Sequence, residues 1–168
     1  MDDVPAMSEL PRGETSSVFV EETRTLVTIV RSNEGPRLFL RQSSVTPAEI
    51  ELAVGFEWID VVGARSSGLA VGLMRGPARQ RPAEPLIIDR HYLCAIDTAA
   101  RTHRMLKVSE DFAVMKLMGP AERSEHVLCV CSDSRRSEAM VVVEYHVALL
   151  SAVSGQVTVI ERGIGPRW

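Results

Sequence analysis

From Ile50 to Trp58 every second residue is apolar: Ile50, Leu52, Val54, Phe56 and Trp58 alternate with Glu49, Glu51, Ala53, Gly55 and Glu57. On a helix of about 3.6 residues per turn these five side chains would wind round every side, whereas on a strand they form one face. The period predicts a buried strand over 50–58. It competes with Thr46-Pro47-Ala48-Glu49, which has the form of a helix start: an N-cap Thr, Pro at the first helical position and Glu at the third. The alternation is the longer signal, so at most one helical turn is expected at 47–50. A core-facing Leu52 would cost roughly 2–5 kcal/mol to truncate to Ala, and Glu51 little.

The rest of the chain reads the same way. Val18–Val20 and Leu26–Val30 flank residues 21–24 as a hairpin, and Asn33-Glu34-Gly35-Pro36 is a turn before Leu38-Phe39-Leu40. Residues 63–68 form a loop before the alternating Leu69, Val71 and Leu73. Residues 75–85 carry three prolines and three arginines and form the clearest loop. Leu86 to Ile96 reads as one long strand, with Leu86, Ile88, Tyr92, Cys94 and Ile96 on one side and Asp89, His91 and Asp97 on the other; Arg90 interrupts the apolar side. Residues 105–108, 112–118 and 127–131 are further strands. The run 139–153 has a helix's length and no Gly or Pro. Val141, Val142, Val143 and Val147 nevertheless favour a strand, paired across Ser154-Gly155 with 156–160. A helix ended by Gly155 is the alternative. Valine, at 21 residues, supports the β reading. No internal repeat is legible. The expectation is an all-β fold, a β-sandwich or jelly-roll-like single domain (or small barrel) of 8–10 strands over residues 16–168, behind an acidic arm over 1–15.

Composition limits what such a domain does. The 168 residues are 45% hydrophobic, with a mean hydropathy of +0.04, which suits one globular domain. A net charge of −3 argues against coating nucleic acid, so nucleic acid is an unlikely direct partner. No apolar run approaches the roughly 20 residues that cross a bilayer. The first residues lack the form of a secretory signal, which points to the cytoplasm or a virion. Charge is unevenly placed. Residues 1–25 carry six acids against Arg12 and Arg24, a net −4, and residues 75–107 carry six arginines and Lys107 against three acids, a net +4. Within the arm, Val4, Met7 and Leu10 recur every three residues as candidate anchors, and Arg75, Arg79 and Arg81 are the candidate partners of its acids. The three cysteines, Cys94, Cys129 and Cys131, are expected to be buried and reduced, with Cys129 and Cys131 on one strand face.

Complete catalytic patterns are missing. The chain has no Gly-X-Ser-X-Gly, no Walker A, no Gly-X-Gly-X-X-Gly and no His-Glu-X-X-His, and it lacks the paired histidines of a cupin. Leu93-Cys94-Ala95-Ile96-Asp97-Thr98-Ala99-Ala100 resembles the Asp-Thr-Gly-Ala signature of retroviral-type aspartic proteases, which would imply a two-chain site with Asp97 as each chain's carboxylate. It departs from that signature at Ala99, where the family has Gly, and the family's later apolar-Gly-Arg-Asp/Asn segment is absent. His91 and His103 bracket the Asp97 turn and could meet across a hairpin, where with Asp89 or Asp97 they would make an acid–base or metal cluster, although no two histidines are close enough in sequence to force a shared face. These four residues define the alternative of a small β-barrel hydrolase or metal-dependent enzyme. No residue is assigned to catalysis, a cofactor or a metal. The leading expectation is a non-enzymatic structural or interaction protein, a subunit of a larger assembly that contacts other proteins, itself included. Coat, cementing and protruding proteins of viral capsids share this size and fold type, an analogy of fold alone. The acidic arm favours a cementing or protruding place over a genome-contacting one.

Overall fold

The computed structural model describes residues 13–77, 90–108, 112–122, 125–136 and 141–163. The fold is all-β and sandwich-like. Its strands are β1 (Glu14–Val20), β2 (Thr25–Ser32), β3 (Gly35–Gln42), β4 (Val45–Ile50), β5 (Glu57–Gly63), β6 (Leu69–Gly76), β7 (Arg90–Asp97), β8 (Thr102–Leu106), β9 (Phe112–Pro120), β10 (His126–Arg136), β11 (Val141–Ser151) and β12 (Val157–Glu161). Twelve strands are thus present among the described residues, more than the 8–10 expected. Part of the surplus is the single strand expected over 50–58, which is divided between β4 and β5. Each sheet is an antiparallel meander of four consecutive strands, ordered β1-β2-β3-β4, β5-β6-β7-β8 and β12-β11-β10-β9. The sequence carries no repeat, yet the architecture uses one unit three times.

The central strands of the middle sheet, β6 and β7, are buried on both faces over most of their length, and their sequence shows why. Along β6, Val71 and Leu73 join the core shared with the third sheet, while Ala70 and Met74 join the core shared with the first. Along β7, Leu93 and Ala95 point to the third sheet, and Cys94 and Ile96 to the first. A strand covered on both sides reads as a near-continuous apolar run, because both members of its period of two are inside. The core facing the first sheet is completed by Val20, Val27, Ile29, Leu38, Leu40, Ile50, Trp58 and Val61. The core facing the third is completed by Val114, Leu117, Val127, Cys129, Cys131, Ala148 and Leu150, among others.

The alternation over 50–58 does not mark one strand. β4 ends at Ile50, and 51–56 form a crossing from the first sheet to the middle one. The Phe56 N–H donates to the Ala53 carbonyl at 3.2 Å, and Gly55 supplies the positive φ (90°) that this turn needs. Leu52 and Phe56 still pack against the core, but Val54 sits at the tip, fully exposed (101%). Nor is there a helical turn at 47–50: Ala48, Glu49 and Ile50 pair in the ladder with Leu40, Phe39 and Leu38. Pro47 is tolerated there because β4 is an edge strand.

Other expectations hold. The 21–24 hairpin joins strands as read; the turn expected over 33–36 is confined to Asn33 and Glu34 because β3 starts at Gly35, and the loop expected over 63–68 starts after Gly63, the last residue of β5. Over the described part of 139–153, β11 runs to Ser151 and pairs with β12, so the helix is excluded. β1 starts at Glu14, which makes the last two residues of the expected arm strand rather than arm. β6 reaches Gly76, so the Pro/Arg loop begins later than predicted, and residues 78–89 lie outside the described residues.

Candidate interaction face

The three sequence-predicted acid–base residues that are described, His91, Asp97 and His103, do not converge. His91 is half-buried and faces the third sheet, its Nδ1 lying 3.2 Å from the Val114 carbonyl oxygen. His103 pairs in register with Ile96, which puts it on the opposite face of the middle sheet, and it is exposed. The Asp97 carboxylate accepts the N–H groups of Ala99 and Ala100 at 3.0 and 2.9 Å, capping the β7–β8 turn. Asp89 lies outside the described residues. The Asp-Thr string that resembles a protease signature is therefore turn chemistry. Thr98, fully buried, continues it: its hydroxyl donates to the Gly68 carbonyl at 2.7 Å and meets the Thr23 hydroxyl. Nearby, the Ser66 N–H donates to the Glu22 carboxylate at 2.5 Å. Three hairpin turns of the first and middle sheets are tied together by these bonds. No group of three or more metal-ligating side chains gathers among the described residues.

The cysteines are buried and free. Burial pushes the Cys94 thiol up to about 12, against the opposing effect of the Gly72 backbone. Burial, and secondarily the neighbouring Cys131, pushes Cys129 up to about 12 as well, and Cys131 is raised by burial. Thiols held protonated in this way are core side chains rather than nucleophiles. Of the six residues expected to make interactions, Val4, Met7, Leu10, Arg79 and Arg81 lie outside the described residues. Arg75 is exposed on β6, in register with Glu57 and His91.

A feature the sequence reading missed is the contrast between the two outer faces of the stack. That of the first sheet has polar groups across its centre, with Phe19 and Val45 exposed on its two edge strands. Arg37 forms a bidentate pair with Glu49, with its Nε 2.7 Å from Oε1, and the guanidinium covers the Phe39 ring at 5.2 Å. Beside them the Ser17 and Thr28 hydroxyls bond at 2.9 Å. Arg37 holds the Glu49 carboxyl below the usual carboxylate range, chiefly through that hydrogen bond. The third sheet turns a different surface outward. Register places Leu128 beside Leu149 and Val130 beside Val147, on the face opposite Cys129, Cys131, Ala148 and Leu150. These four half-buried aliphatic side chains form its centre. Around them Met118 (54% exposed), Ile160 (57%), Met115 and Tyr145 reach into solvent. Bulges between Leu128 and Cys129 and between Val130 and Cys131 add one residue each to β9, and this brings Met118 and Met115 into the rim.

Two charges among the described residues lie in the row through the centre of this face. Lys116 on β9 is opposite Val130, and Glu161 on β12 is opposite Val147, so one row across the sheet reads Lys116, Val130, Val147, Glu161. The signal was present in the sequence: Leu128, Val130, Val147 and Leu149 alternate with the residues that fill the core. With every position from 127 to 131 apolar, nothing distinguished a strand covered on both sides from one covered on a single side.

No protein-family model matches the chain, and a search of the curated proteins finds no match to it. No helix among the described residues is long and apolar enough to cross a membrane.

Proposed function

We propose that this protein is a non-enzymatic interaction protein, a subunit of a larger assembly that docks through the outer face of its third sheet. The observation that carries the reading is that face: a contiguous aliphatic centre with a Met and Ile rim, on a chain whose opposite outer face has an ion pair and bonded hydroxyls at its centre and exposed Phe19 and Val45 only on its edge strands. Water-facing apolar patches of this kind mark sites of association. The net charge of −3 and the acidic first 25 residues favour a protein partner over nucleic acid. A cementing or protruding subunit of a capsid is one role with these requirements.

The test separates a docking face from a structural one. Leu149→Lys and Val130→Glu, made singly in the full chain, are expected to keep the β circular dichroism and to melt within about 5 °C of the parent, as surface substitutions do. The parent is expected to bind the apolar dye anilinonaphthalene sulfonate in its native state, and the variants to bind it less. Melting shifts as large as those of core truncations, or a native parent that binds no dye, would refute the reading.

A further inference from the structure

We infer that the partner seated on this face is a second copy of the same chain, stacked face to face about a two-fold axis that runs along the strands. The inference rests on the proposed docking face and adds its occupant. The argument is one of charge. Lys116 and Glu161 lie on the two edge strands of the sheet, in one row, with the aliphatic centre between them. A two-fold axis parallel to the strands exchanges left and right edges while keeping position along the strand. It therefore sets Lys116 of each copy over Glu161 of the other, and lays Val130 over Val147 and Leu128 over Leu149 of the other copy. A two-fold axis across the strands would set like charges over each other, at a cost.

Size sets the strength. Four strands about 4.8 Å apart and about seven residues long at about 3.3 Å each give a footprint of roughly 19 by 23 Å. Two such footprints total roughly 900 Å² before side-chain relief, the low end for specific contacts. The dimer is therefore weak and concentration-dependent.

The experiment uses the full chain at about 1 to about 300 μM in sedimentation velocity, a range that brackets interfaces this small. The parent is expected to pass from monomer to dimer. Lys116→Glu and Glu161→Lys, each alone, are expected to weaken the dimer about tenfold or more, by replacing two attractions with two repulsions. The double variant restores opposite charges and is expected to return within about threefold of the parent. A second measurement needs no variant. A zero-length carbodiimide is expected to join Lys116 to Glu161 in the dimer band only, because within one copy they are about 14 Å apart across three strand spacings. A parent monomeric throughout, single reversals without effect, a double reversal that does not restore association, or no Lys116–Glu161 link would overturn the inference. The dye and melting tests judge the docking face separately, so failure of the dimer and failure of the face are distinguishable.

Discussion

Trp58 fits against the middle sheet because Gly72 offers no side chain. A Cβ at Gly72 would stand 2.4 Å from the indole Cζ3 and 3.2 Å from the Cys94 sulfur. Gly76 does the same for the edge-to-face pair of Phe56 and Tyr92, where a Cβ would meet Phe56 at 2.5 Å. Gly72→Ala therefore forces the Trp58 ring to shift in a filled core. It is expected to destabilise by about 1–3 kcal/mol in a urea titration, the range for overpacking, with the slope unchanged. Thr98 acts through bonds instead of space. Thr98→Val keeps the volume but removes the group that bonds to Gly68 and Thr23. It is expected to cost about 1–3 kcal/mol, read in the same titration.

At the scale of elements, the crossing at 51–56 separates what was legible from what was not. Strand identity follows from local chemistry: β-branched residues, period-two runs and turn residues at the expected places, so most strands stand where the sequence put them. The crossing defeats the same logic. Its apolar residues alternate because Leu52 and Phe56 reach back onto one core from both legs of a turn, not because the chain is straight. Val54 completes the pattern by coincidence of spacing. Leu52→Ala is accordingly expected to cost less than Leu40→Ala, which empties a fully buried site worth about 2–5 kcal/mol, and Val54→Ala is expected to change stability by under about 0.5 kcal/mol. Comparison of the three midpoints checks the ranking. The interaction face was illegible for a related reason. Periodicity says that a strand has two apolar sides, but only the stacking order says which side finds a neighbour.

The whole molecule is a three-layer stack whose central strands, β6 and β7, are covered on both faces. Cys94 lies in one core and Cys129 in the other, each held protonated by burial. An unfolded thiol ionises near its ordinary value of 9.0, while the folded ones do so near about 12. Above pH 9 the unfolded state has released protons that the folded state still holds. Stability is thus fully present below that point and falls as pH rises toward 12, by up to about 1.4 kcal/mol per unit for each thiol. Denaturation midpoints across this range are expected to decline, and Cys94→Ala is expected to flatten the decline. Native thiols should resist iodoacetamide until the stack opens, then react together, which mass spectrometry reads as an all-or-none increment.

The stacking order also sets a timetable for synthesis. The first meander is complete at Ile50 with Val27, Ile29, Leu38 and Leu40 on its inner face, yet the middle-sheet residues that cover them run from Trp58 to Ile96. At about 5–20 residues per second the ribosome takes several seconds to deliver them. For that interval the nascent chain carries an open aliphatic sheet, and this makes the first third of the protein the stretch most dependent on chaperone cover.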